Sequence, residues 1–84
     1  MNELELLKNK IKYRSLYRGT KEMDLLLSSF VDYCIDSLNN DELIQLNNLL
    51  NCDDFEILNL YQNNVPIKSF NNEKIIKIFK EFKI

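Results

Sequence analysis

The sequence predicts an all-α protein, a compact bundle of about five short antiparallel helices. Three observations predict it. Apolar residues recur at helical spacing, and no stretch alternates apolar and polar residues over a strand's length. Short polar residues that start helices stand at Asn39, Asp53 and Asn71, the first two followed three positions on by Glu42 and Glu56. The connections between these segments are short, which favours packing of consecutive helices as antiparallel neighbours. At 84 residues the expectation is a single domain, residues 1–84. Such a chain buries only about 60 % of its unfolded surface, so the core is small.

The first helix is expected over residues 2–17, with Leu4, Leu7 and Ile11 on one stripe and Leu6 widening it. Gly19 is expected to end it in the left-handed conformation that glycine reaches without steric cost. The second helix is expected over 20–38. Met23, Leu26, Leu27, Phe30, Cys34 and Leu38 form its apolar face, and Leu25, Val31 and Ile35 fall outside that face. Apolar positions on more than one side mark it as the central helix.

Asn39 with Glu42 resembles a capping box and opens a third helix, 40–51, with Leu38 and Leu43 as its staple. Asp53 with Glu56 repeats the device for a fourth, 54–63, with Cys52 and Ile57 as staple and Phe55, Leu58 and Tyr61 as apolar positions. Val65-Pro66 breaks the chain, because proline disfavours helix in the residue before it. Asn71 caps a fifth helix, 72–82, with Phe70 and Ile75 stapled and Ile75, Ile78, Phe79 and Phe82 turned inward.

Composition excludes much chemistry. There is no histidine, so no Ser-His or Cys-His nucleophile pair and no histidine-ligated metal. One glycine cannot build a phosphate-cradling loop or a dinucleotide fingerprint. Cys34 and Cys52 fit neither a CxxC nor a zinc spacing, and read as small apolar residues of a reducing compartment. Asp53, Asp54 and Glu56 lack the glycine and the alternation of a calcium loop, and read as helix-start carboxylates. The acidic N-terminus is unlike a secretory or transit peptide, and no stretch approaches the roughly 20 apolar residues of a membrane span. The expected location is the bacterial cytoplasm, with no membrane insertion.

The formal net charge is only −2, but it is unevenly spread. Lys8, Lys10, Lys12, Arg14, Arg18 and Lys21 make one segment basic, residues 22–67 contain no Lys or Arg, and the tail is basic again. Such asymmetry speaks to partners. The helix 1 cations, interleaved with Tyr13 and Tyr17, suggest nucleic acid, but at two-residue spacing they scatter around a helix, and the acidic middle repels phosphate. Nucleic-acid binding is not expected. The tail lysines Lys74, Lys77, Lys80 and Lys83 read as a solvated face.

The stretch left over is Arg18-Gly19-Thr20-Lys21-Glu22-Met23-Asp24, at the joint where basic gives way to acidic. Arg18 offers a rigid fork of donors for carboxylates or carbonyls. Gly19 lets a backbone approach closely. Glu22 lies in the first turn of the second helix, where, with Gly19 as N-cap, it would occupy the third position and only cap.

Arg18-Gly19-x-x-Glu22, with Met23-Asp24 and an apolar helix behind it, resembles the RGxxE signature of the SdhE-type succinate dehydrogenase flavinylation factors. Leu50-Asn51-Cys52-Asp53-Asp54, followed by apolar residues, an aromatic and then Pro66, resembles the family's second block. The likeness covers about residues 13–66. Tyr61 stands where a tryptophan is expected, Tyr17-Arg18 where a doubled arginine is common, and a glycine usual near the proline is absent. The resemblance implies a five-helix assembly factor that is not an enzyme and holds no stable cofactor of its own. Its partner would be the flavoprotein subunit of succinate dehydrogenase, and in some bacteria that of fumarate reductase, to which it promotes covalent attachment of FAD. It further implies that Arg18, Gly19 and Glu22 enter the client, with Arg14, Tyr17, Lys21, Asp24 and Asp53 as the rim, and that the free chain is a monomer. The rival readings are a generic helical adaptor, a small nucleic-acid binder and a carrier of free FAD.

Overall fold

The computed structural model describes residues 2–68 and 74–83. Five α-helices follow one another: α1 (Glu3–Arg14), α2 (Lys21–Cys34), α3 (Asn40–Leu50), α4 (Asp54–Asn63) and α5 (Lys74–Glu81). A short 3-10 turn, Ile35–Ser37, extends α2. Among the described residues there is no strand. Helix α1 packs on α2 and α3, α3 on α5, and α4 on α5.

The start of α3 is built as the sequence predicts, and that of α4 in part. Asn39 and Glu42 form a reciprocal capping box, each side chain accepting from the other's backbone N–H at 2.9 Å. Asp53 caps α4 by accepting from the Phe55 amide, not from that of Glu56. Asn64, left-handed at φ 57°, closes α4 just before Val65-Pro66. The expected cap at Asn71 and staple residue Phe70 lie outside the described residues, as does the start expected for the fifth helix.

One core holds Met23, Leu26, Leu27, Phe30, Val31, Cys34 and Ile35 from the α2 segment. Val31 and Ile35 are therefore buried on a second side of α2, whereas Leu25 is exposed. Phe30 sits against the rings of Phe79 and Phe82, centroids 4.8 and 5.4 Å away. Tyr61 stacks on Phe79 and donates its hydroxyl proton to the Phe82 carbonyl at 2.7 Å, so its polar tip is satisfied. Ile76 is buried although the expected stripe omitted it, and Phe55, expected inside, is 74 % exposed. On α1 only Ile11 is fully buried; Leu4 and Leu6 face solvent.

The first joint differs most from expectation. Helix α1 stops at Arg14, three residues early. Ser15, itself buried, donates its hydroxyl to the Lys12 carbonyl at 2.7 Å, a local bond that competes with further helix. The left-handed residue is Tyr17, φ 56°, not Gly19, whose φ is negative. The N-cap of α2 is Thr20, whose side chain accepts from the Met23 amide at 3.2 Å. Glu22 is thus second in its helix, not third, and it does not cap.

Candidate functional site

The joint between α1 and α2 lies against the joint between α3 and α4, and Arg18 ties them together. Its Nε donates to Asp54 Oδ1 at 2.8 Å, and Nη2 lies 2.7 Å from the same oxygen. Nη1 donates to the carbonyls of Arg14 at 3.0 Å and Leu50 at 2.8 Å. Nη2 also donates to the Cys52 carbonyl at 3.2 Å. All five N–H donors of the guanidinium therefore have partners within the chain.

The placement follows from helix electrostatics. The carbonyls at the ends of α1 and α3 lack intrahelical partners and carry partial negative charge. Helix α3 has no basic residue in its last turn, because residues 22–67 supply none. Arg18 brings that cation from another part of the chain. Asp54, the first residue of α4, favours the positive end of its own helix while accepting from Arg18.

Asp54 Oδ2 accepts the Gly19 N–H at 2.9 Å. A Cβ on residue 19 would stand 3.2 Å from that oxygen. The close approach that Gly19 allows is thus, in this structure, the approach of Asp54. Asp24, half-buried on α2, accepts the Arg18 backbone N–H. Arg18 is accordingly not a free fork held out to solvent; its side chain is 13 % exposed and turned inward.

Around the clamp lies an open hollow of about 600 Å³. Arg14, Tyr17, Arg18 and Asp53, four of the expected site residues, line it, together with Tyr13, Leu16, Cys52 and Asp54. Tyr17 is 81 % exposed and Tyr13 71 %, their ring centroids 6.2 Å apart. Lys21 and Glu22 are exposed on the first turn of α2, outside the hollow's lining. Neither makes an ion pair among the described residues. Burial pushes the Cys52 thiol above its ordinary value, and the Glu56 charge adds to this against the opposing pull of Arg18. No group of three or more His, Cys, Asp or Glu among the described residues could hold a metal ion.

Sequence reasoning missed Asp54. Of the two adjacent carboxylates at that helix start only Asp53 can be the N-cap, which leaves Asp54 free to pair elsewhere, but nothing local names Arg18 as its partner. Nothing comparable marked Leu16 as part of the hollow's lining.

Comparison with known proteins bears on the same residues. The family described as flavinator of succinate dehydrogenase matches residues 9–83. The chain is 30 % identical over 60 residues to the FAD assembly factor SdhE of Acetobacter pasteurianus, a stretch that is 71 % of this chain and 55 % of that protein. It is 36 % identical over 55 residues to the mitochondrial succinate dehydrogenase assembly factor 2 of Penicillium rubens, 66 % of this chain and 18 % of that one. The chain thus spans about half the length of the first relative and under a fifth of the second. No solved structure matches it. The family match runs over the RGxxE joint, both halves of the clamp and the whole of the helical core, and on that match the chain belongs to the flavinator of succinate dehydrogenase family.

Proposed function

We propose that the chain is an assembly factor that docks on the flavoprotein subunit of succinate dehydrogenase and promotes covalent attachment of FAD to it. The observation that carries the proposal is the family match over residues 9–83. The geometry adds which motif atoms are available. Arg18 is occupied by the clamp, while Glu22 is an exposed carboxylate with no bond to the rest of the described chain. In this reading Glu22 bonds a cationic side chain of the client. Gly19, Tyr17, Lys21 and Arg14 form the surface around it, with Asp24 holding the Arg18 amide beneath and Asp53 in the lining of the hollow.

The chain has no histidine, so any histidine that accepts the flavin belongs to the client. The factor's contribution is then to hold client and flavin in reacting geometry, which is catalysis by positioning without a covalent step of its own. The flavoprotein subunit of fumarate reductase is a second client of the same class. A bacterial cytoplasmic setting and a monomeric free chain belong to the same proposal.

The test is covalent flavin on the client. The flavoprotein subunit is co-expressed alone, with this chain, and with its Glu22→Gln variant, then denatured and read by in-gel flavin fluorescence. The chain is expected to raise the signal and the variant to lose most of that gain. The variant's stability should stay within about 1 kcal/mol of the parent, because the change removes only a first-turn carboxylate's attraction to the helix dipole. Equal fluorescence with and without the chain, on folded client with FAD present, would overturn the proposal.

A further inference from the structure

Among the described residues, Asp54 is the one carboxylate that touches both residues at the head of the RGxxE motif. Its Oδ1 takes the Arg18 side chain and its Oδ2 takes the Gly19 amide. Because Arg18 and Gly19 directly precede the first turn of α2, the carboxylate fixes the path by which the chain enters the helix that carries Lys21 and Glu22. A Cβ at residue 19 would crowd that oxygen at 3.2 Å, so glycine gives it room. On the other flank Tyr17 sits in the left-handed conformation, which a bulky aromatic adopts only when its surroundings hold it there.

We infer that Asp54 is a positioning residue for the client-binding surface. It acts through Arg18 and Gly19 and orients Tyr17, Lys21 and Glu22 without touching the client. The inference rests on the proposed function. Half of the RGxxE signature is, on this view, the receptor for a carboxylate of the α3–α4 joint, and the working unit is RGxxE plus Asp54.

The chain itself supplies the probe. It contains one glycine, so protein labelled with nitrogen-15 glycine shows one backbone amide resonance, that of Gly19. The parent, Asp54→Asn and Asp32→Asn are compared; Asp32 is an exposed carboxylate of α2 remote from the clamp and removes the same charge. Each is measured for the position of that resonance, for helical circular dichroism, and for the concentration that half-saturates covalent flavin attachment to the purified flavoprotein subunit. The last is read at a temperature where every variant is folded.

Asp54→Asn should displace the Gly19 resonance, keep the helical signal and raise the half-saturating concentration about tenfold, the scale of one weakened charge-assisted bond. Asp32→Asn should leave both readings in place. An unmoved resonance would show that the clamp is not made in solution, and a displaced resonance with unchanged half-saturation would show that it only stabilises; either overturns the inference. Should Asp54→Asn not fold, Gly19→Ala crowds the same carboxylate, and because the chain has no alanine, alanine labelling again gives one resonance. The same rise in half-saturating concentration is expected of it, and its absence is equally fatal. If the parent itself leaves the client unmodified, the proposed function has failed and the inference goes with it, whatever the amide resonance does.

Discussion

Arg18→Ala should cost the fold dearly, which is not what a client-facing arginine would do. The substitution removes five donors from an inward-facing guanidinium and leaves Asp54 without its cation. Breaking a fully buried pair costs about 3–5 kcal/mol, and an exposed one about 0–1. The side chains here are 13 % and 28 % exposed, so the cost lies between, at roughly 2–3 kcal/mol. The orphaned carbonyls of Leu50 and Cys52 regain some solvation, which keeps the figure from rising further. At about 0.05–0.15 kcal/mol per residue the whole chain is stable by only roughly 4–12 kcal/mol. With about 4–8 °C of Tm per kcal/mol for a domain of this size, the melt should fall by roughly 8–24 °C. Circular dichroism melts of parent, Arg18→Ala and Arg18→Lys measure this. Lysine keeps the charge near Asp54 but cannot reach both helix ends from one nitrogen, so its melt should fall between the other two. An Arg18→Ala melt within about 3 °C of the parent would refute the five-donor clamp and return Arg18 to the surface.

Two further outcomes follow from particular residues. Tyr17→Gly removes a left-handed aromatic, so it should leave stability unchanged or raise it by about 1 kcal/mol while lowering flavin attachment, because the exposed ring is lost; a destabilised variant would show that the ring packs more than its exposure indicates. Lys74, bonded at 2.8 Å, and the Asn39 amide hold the Glu42 carboxyl below its ordinary value of 4.5. A depressed folded-state value contributes stability that is complete above about 4.5 and lost as the pH falls through the folded value. Glu42→Gln should therefore be less stable than the parent near neutrality, with the gap closing in chemical denaturation below pH 4.5, and a gap independent of pH would refute the assignment.

What the sequence revealed was local, and what it concealed was long-range. The start of α4 at Asp54 and the reciprocal bonds of Asn39 and Glu42 were legible because a cap is decided within four residues. The C-terminal end of α1 was not. Gly19 looked like its terminator because glycine is the usual left-handed residue, yet Tyr17 takes that conformation. The loop is held by carboxylates from elsewhere: Asp24, six residues on, on the Arg18 amide, and Asp54, thirty-five on, on the Gly19 amide. Propensity cannot anticipate a backbone fixed by side chains that distant. Phe55 failed for a related reason: its helical position admits burial, but among the described residues no element covers that ring, which is 74 % exposed.

The uneven charge reads differently once the structure is known. The described ion pairs are Lys8–Asp36, Arg18–Asp54 and Lys74–Glu42. Each joins a cation of a basic flank to a carboxylate of the middle segment that has no cation of its own. A pattern that suggested an outside partner is thus partly the fold's own complementarity. The pairs are not equal, however. Asp36 is 87 % exposed and Lys74 69 %, so water screens both of their bridges. Only Arg18–Asp54 is sheltered on both sides and closed by three carbonyls and an amide. Stability and the proposed function therefore converge on one point. The pair that matters most to the fold also sets the entry to α2, where Lys21 and Glu22 stand free of it. On the proposed function, a motif that serves a partner can owe its arginine and glycine to its own architecture and leave the glutamate to meet the client.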